Sequence, residues 1–334
     1  MPCHQSNGGF KSGITLCNYL SKLTDLTIWS LWGELYSGHQ AILESTGAEL
    51  RFANPVLELE DGDHVFFYMN DYPFFFANFS QQWKAELNKA ASVQIAFNRI
   101  LGGVPGQAWL AHNTTSVYFL DQKMQRDWGI IVKRNDLSEI PTHVLVPPIE
   151  LEPFSAIGEA DRSEDKLIIS RLAGDGDVDS QSIDIYKTLA DKLPHAEFWF
   201  MPSPPELARE FADDSRFRFL SPNQIPVTEF LAKTTIFMLT YKQSVPIPGP
   251  RCLVEAMAAG CVPIVVNREG PKDRVLHAEN GFCANSNQEF IDYALKLAAD
   301  IELRNKLSQA ARARAKSFKI EHWIERIMAN IYSQ

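Results

Sequence analysis

A chain of 334 residues, 45% hydrophobic and 22% charged, is long enough for two domains that each bury a core, and its composition excludes a disordered or fibrous protein. Its formal net charge of -9 argues against nucleic acid as the principal partner, because backbone binding needs a clustered positive surface. No run of 18 apolar residues occurs, and the opening MPCHQSNGG lacks a charged leader followed by an apolar core, so the expected location is the cytoplasm.

Taken in order, residues 7–20 (NGGFKSGITLCNYL) read as a glycine turn at Gly8 and Gly9 followed by a helix. Strand-like runs recur at 26–30, 50–52, 64–69, 93–97, 117–120 and 143–146, with helical patterns at 79–90 and 121–127 among them. The second half repeats this alternation. Strands are expected at 166–170, 197–201, 217–220, 236–240 and 262–266, and helices at 182–193, 227–232 and 251–259, before two terminal helices, the last over 320–332. Alternating strands and helices predict an α/β protein with parallel, doubly wound sheets. The polar stretch 158–165 marks a linker, which puts the domain boundary near residue 155.

The five cysteines, at positions 3, 17, 252, 261 and 283, contain no C-x-x-C pair and read as buried thiols rather than a metal or redox centre. Asp61-Gly62-Asp63 and the run Asp175-Gly176-Asp177-Val178-Asp179 fit a short Asp-x-Asp pattern that could hold a divalent cation on a diphosphate, but Asp-Gly pairs favour the reading as turns. Arg312, Arg314, Lys316 and Lys319 form a basic cluster, read as the solvated side of a terminal helix. No G-x-S-x-G, Walker loop or H-E-x-x-H is present, so hydrolase, NTPase and zinc-protease readings lack their chemistry.

The most informative stretch is 248–266, PGPRCLVEAMAAGCVPIVV. A Pro-Gly-Pro loop opens a helix at Arg251, Gly260 stops it, and an apolar β-branched strand follows from Val262. A helix that starts beside such a loop turns its first backbone N–H groups outward, where they can hold a phosphate or another anion. A carboxylate at Glu255 could then take ribose hydroxyls beside the helix end, or could simply complement the helix dipole.

Gly249-Pro250-Arg251, Leu253-Val254-Glu255-Ala256-Met257-Ala258-Ala259-Gly260 and Val262-Pro263-Ile264-Val265 together resemble the donor-site segment of retaining GT-B glycosyltransferases, glycosyltransferase family four (glycosyl transferases group 1). The resemblance implies two Rossmann-like domains facing a central cleft. The acceptor-side domain would span 1–155 and the nucleotide-sugar domain 156–318, with a terminal helix over 319–334 crossing back to the first. Val146 to Phe154 resembles the family's interdomain segment, and Gly270-Pro271-Lys272-Asp273 its glycine turn before an acid. By the same resemblance, Gly8, Gly9 and Lys11 lie near the donor diphosphate, Arg171 is the phosphate-stabilising cation after the first strand of the second domain, and Glu255 binds the ribose. Gly249, Pro250, Arg251, Cys252 and Leu253 complete the donor loop.

Asn98, after the 93–97 run, is the nearest counterpart of the family's polar residue facing the transferred sugar; Asn70, Asp71 and His112 are lesser candidates. Two positions depart from the family pattern. Ile247 stands where a second Glu would contact the donor sugar, and Gly176 where a phosphate-binding Lys would follow Arg171. The implied activity is a hexosyltransferase-like enzyme (EC 2.4) that moves a sugar from a nucleoside diphosphate sugar to a glycan or lipid-linked acceptor. It would need no metal or other cofactor, retain the anomeric configuration and serve polysaccharide or glycoconjugate biosynthesis. Weak association with a membrane surface is a further implication. The alternative is a GT-B-fold protein that binds a nucleotide or a partner without transfer, which the departures at Ile247 and Gly176 would permit.

Overall fold

A computed structural model describes residues 8–30, 37–52, 57–72, 81–100, 114–134, 139–158, 166–172, 180–240 and 249–332. The chain divides into two compact units, residues 1–149 with 319–334, and residues 150–318.

The first unit contains β1 (Thr27–Ser30) and β2 (Glu49–Phe52), a parallel pair, and a four-stranded parallel sheet of β3 (His64–Tyr72), β4 (Ser92–Ile100), β5 (Ser116–Phe119) and β6 (Thr142–Val144). Among the described residues this part of the chain also holds the helices α1 (Gly8–Leu20), which precedes β1, α2 (Ser37–Glu44), α3 (Gln81–Leu87) and α4 (Gln122–Arg134). Every residue of β5 is buried, as expected for a parallel strand covered on both faces. Ile95, Phe97, Val117, Phe119 and Trp128 form the centre of the core.

The last helix of the chain, Glu321–Tyr332, belongs to this unit because its apolar face completes that core with Trp323 and Ile327. A buried polar network fixes its register. The Tyr118 hydroxyl donates to Gln94 Oε1 at 2.6 Å, Gln94 Nε2 donates to the Ile327 carbonyl at 3.3 Å, and Asn330 Nδ2 donates to Tyr118 Oη at 3.1 Å. The Trp323 indole N–H donates to the Val146 carbonyl. The Tyr118–Gln94 bond lies within the sheet, and the Gln94 amide N–H and the Trp323 indole N–H find their acceptors when the helix sits in this position.

The second unit is one six-stranded parallel sheet in the order β12-β11-β10-β7-β8-β9, formed by β7 (Ile168–Leu172), β8 (Glu197–Met201), β9 (Phe217–Phe219), β10 (Ile236–Leu239), β11 (Val262–Val266) and β12 (Phe282–Ala284). Its helices are α5 (Glu152–Ser155), α6 (Ser180–Lys192), α7 (Pro205–Glu210), α8 (Val227–Lys233), α9 (Arg251–Ala258), α10 (Asn287–Ala299) and α11 (Ile301–Ala315), and Glu321–Tyr332 in the first unit is α12. Counted from β7, the order is that of a doubly wound dinucleotide-type domain, in which the direction of winding reverses between β7 and β10.

Several element bounds differ from the sequence expectation. The helix α1 begins at Gly8, so Gly8 and Gly9 form its first turn rather than a turn before it. Strand β4 runs on to Ile100 and β3 to Tyr72, which puts Asn98, Asn70 and Asp71 inside strands instead of beyond their ends. The cause is cross-strand pairing: Asn70 pairs with Phe97 and Asp71 with Arg99, and this ladder extends strands whose local sequence turns polar. Helices α2 and α7 were not foreseen, both being short and weakly patterned.

Candidate functional site

In open doubly wound sheets a ligand binds beyond the carboxyl ends of the strands, at the point where the winding reverses. Arg171 is the fourth residue of β7, and Thr240 follows directly on β10, so both stand at that edge on either side of the reversal. Arg171 is only 1% exposed, and its Nε donates to the Thr240 carbonyl at 3.2 Å. The sequence suggested a cation after the strand. Pairing to β8 out to Leu172 keeps Arg171 inside the ladder, and its side chain bridges to the neighbouring strand end.

The helix α9 starts at the same edge. Gly249 adopts φ +53°, a left-handed value that a glycine accepts without strain, and Pro250 then takes φ -61° and ψ 107° as the residue before the first helical turn. Pro250 has no polar side chain to offer the helix, while its carbonyl accepts from the Leu253 N–H at 3.2 Å. The helix end closes at Gly260, φ +82°, as the glycine stop in the sequence predicts.

Glu255 is buried, and its Oε1 accepts from Arg251 Nε at 2.6 Å, one helical turn away. The two side chains are 14% and 10% exposed, so the pair is partly desolvated and well formed. This i,i+4 spacing was visible in the sequence, but the two residues were read there separately, Glu255 on the ribose and Arg251 in the donor loop. Burial, followed by the Glu255 carboxylate, pushes the Cys252 thiol up to about 12, while the Arg171 charge and the backbone N–H groups of Leu253 and Cys252 act the other way. Cys252 therefore keeps its proton and serves as a neutral side chain at the helix end. Its coupling to Arg171 and Glu255 also shows that the strand end and the helix end converge within the second unit.

The structure thus brings Arg171, Gly249, Pro250, Arg251, Cys252, Leu253 and Glu255 to one edge of one sheet. Thr240 and Tyr186 join them, and sequence reading missed both because neither carries a local motif. Gly8, Gly9, Lys11 and Asn98 lie in the first unit. Ile247, Gly176, Cys3, His112 and the 175–179 acidic run lie outside the described residues.

Other candidates resolve as structural groups. Gly62 takes φ +95° and Asp63 accepts the Glu60 N–H at 2.9 Å, which makes 61–63 a self-capped turn. Asp273 accepts the Gly270 N–H at 3.3 Å, and the buried Arg274 donates to the Gly270 carbonyl at 2.7 Å, so the 270–273 acid caps its own turn. Arg312 and Arg314, expected as a solvated face, instead donate to the carbonyls of Ala258 (3.1 Å) and Asp273 (3.2 Å), while Lys316 and Lys319 are exposed. Among the described residues no group of three His, Cys, Asp or Glu is placed to hold a metal ion, and no helix is long and apolar enough to cross a membrane. A cavity of about 530 Å³ opens beyond β11 and β12, lined by Asn267, Lys272, His277, Cys283, Asn285 and Tyr293 among others.

A doubly wound six-stranded sheet together with a second parallel α/β unit is the architecture of the GT-B fold, and the comparisons agree on that fold. Residues 216–314 match the family model described as glycosyl transferases group 1. HepE of Anabaena, solved with UDP and glucose, superposes at TM-score 0.70 with 13% identity over 100% of this chain and 98% of that chain. A glycosyltransferase from Rickettsia africae gives TM-score 0.73 and 12% identity over the same shares. WaaG, a glycosyltransferase involved in lipopolysaccharide biosynthesis, gives TM-score 0.64 and 14% identity over 100% of this chain and 99% of that chain. No curated protein matches the sequence itself. The fold shared with these structures is GT-B, and the family match lies within the second unit, over residues 216–314.

Proposed function

We propose that the protein transfers a sugar from a nucleoside diphosphate sugar to a glycan or lipid-linked acceptor, with retention at the anomeric carbon and without a metal, in polysaccharide or glycoconjugate biosynthesis in the cytoplasm. The observation that carries this reading is the convergence of Arg171 and the N-terminus of α9 at the β7/β10 switch point, with the Arg251–Glu255 pair on the same helix end. HepE, of the same fold, was solved with UDP and with UDP-glucose, which favours a uridine nucleotide as the first probe.

In this reading the bond from the anomeric carbon to the diphosphate oxygen breaks while the acceptor hydroxyl oxygen bonds to the same carbon. The negative charge grows on the leaving phosphate, which takes the acceptor proton. Arg171 and the helix N–H groups are fixed where that charge develops, so they need not reorganise during the step. Glu255 gives Oε1 to Arg251, and its second oxygen is the acceptor for ribose hydroxyls. Asn98 is the acceptor-side polar group that the family resemblance names.

Calorimetric titration with UDP, followed by donor turnover with UDP-sugars, tests the reading. Binding with turnover supports transfer. Binding without turnover under a range of donors and acceptors favours the nucleotide-binding protein that Ile247 and Gly176 would permit, and no binding of any nucleoside diphosphate overturns both.

A further inference from the structure

The face of the second sheet under α6 carries two polar groups at the switch point, and α6 brings a third over them. Side chains alternate along a strand, so Arg171 shares a face with Ile169, and its register partner on β8 is Phe200. Ile236 and Met238 of β10 enter the same apolar cluster as Ile169 and Phe200, and the alternation brings Thr240 to that face too. Tyr186 of α6 lies over it, with its ring edge-on to Phe200 and centroids 4.9 Å apart. Arg171, Tyr186 and Thr240 are 1%, 0% and 2% exposed.

An aromatic core position would ordinarily be served by Phe, which asks why this one carries a hydroxyl. Among the described residues neither Tyr186 Oη nor Thr240 Oγ1 closes a full hydrogen bond, and buried hydroxyls left that way are costly. Burial pushes the Tyr186 phenol up to about 12, against the Arg171 charge and the Thr240 hydroxyl, both close enough to act on it. A guanidinium has donors and no acceptor, so a phenol beside it accepts from it and must pass its own proton elsewhere. Thr240 Oγ1 stands beside it as that acceptor.

We propose that Tyr186 and Thr240 are positioning residues for Arg171, holding its planar fork toward a diphosphate at the carboxyl edge of the sheet. The Thr240 carbonyl fixes Nε, and when the anion binds, the phenol oxygen accepts a hydrogen bond from a second guanidinium N–H while its own O–H donates a hydrogen bond to Thr240 Oγ1. This inference rests on the nucleoside diphosphate reading above.

Tyr186→Phe removes the hydroxyl and keeps the ring, and comparing UDP with uridine isolates the phosphate contribution. In calorimetric titrations of the full chain, Tyr186→Phe should weaken UDP about tenfold and leave uridine affinity unchanged; Thr240→Val should do the same, and decides the matter if the first variant fails to fold. Equal losses for UDP and uridine mean that the hydroxyl only supports the core, and an unchanged UDP affinity means that Arg171 does not need it; either result overturns the positioning role alone. A wild-type protein that binds UDP no better than uridine overturns the diphosphate site and the positioning role together.

Discussion

Replacing Glu255 by Ala perturbs the fold and, on the proposed function, the nucleotide site, and the structure allows the two effects to be separated. Glu255 meets Arg251 at 2.6 Å with both side chains little exposed, so the variant leaves a guanidinium partly buried beside the helix end. A hydrogen bond to a charged group contributes about 1.5–3 kcal/mol, and removing one partner of a buried pair costs at least that much. At about 2–4 °C per kcal/mol for a domain of this size, the second unit should melt roughly 3–12 °C lower. Nucleotide affinity should fall independently by about ten- to a hundredfold if the carboxylate also takes ribose hydroxyls. Glu255→Gln keeps a carbonyl acceptor for Arg251, so it should recover most of the melting temperature and only part of the affinity. Titration with UDP at a temperature where all three proteins are folded gives the second quantity, and differential scanning calorimetry gives the first. Equal UDP affinity in wild type and Glu255→Ala would refute the ribose role and leave Glu255 as a partner of Arg251 alone.

Chelator should leave UDP binding and donor turnover nearly unchanged if Arg171 and the α9 end neutralise the diphosphate; activity lost to chelator and restored by manganese would reverse that expectation. Gly260→Ala places a Cβ at φ +82° against the Arg312 guanidinium, so it should cost about 1–3 kcal/mol and lower the melting temperature without a change in the α9 N-terminus. His143, in the first unit, has its folded pKa held below the usual imidazole value by burial and then by the Arg326 charge. The unfolded chain therefore binds the proton more readily, and the stability this contributes is present above about pH 6.5 and lost as the pH falls through the lower folded value. Urea midpoints of wild type and His143→Gln compared at pH 7 and pH 5 should differ less at the lower pH.

The local grammar of the 248–266 segment was sufficient to place its elements, because a Pro-Gly-Pro loop, a run of helix formers, a glycine stop and a β-branched run each act within a few residues. Strands 197–201 and 262–266 were legible for the same reason: both are buried on two faces and read as continuous apolar runs. What escaped was whatever depends on a distant partner. Asn70 and Asp71 became strand residues because a neighbouring strand pairs with them, and Asn98 because β4 continues past it to Ile100, against their own preference for turns. Arg312 and Arg314 were read as solvated because a helix sequence does not show which carbonyls a neighbouring element leaves open at its end. The pairing of Arg171 with the Thr240 carbonyl joins residues 69 apart in sequence, and Tyr186 enters that site from a third element. The sequence by itself determined the alternation of strands and helices and the glycine-stopped helix that offers its N-terminus, since those are local. The strand order that sets β7 beside β10, and hence the edge where a guanidinium, two hydroxyls and a helix end meet, was decided only by the tertiary structure, because sheet order is a matter of long-range pairing on which local spacing is silent.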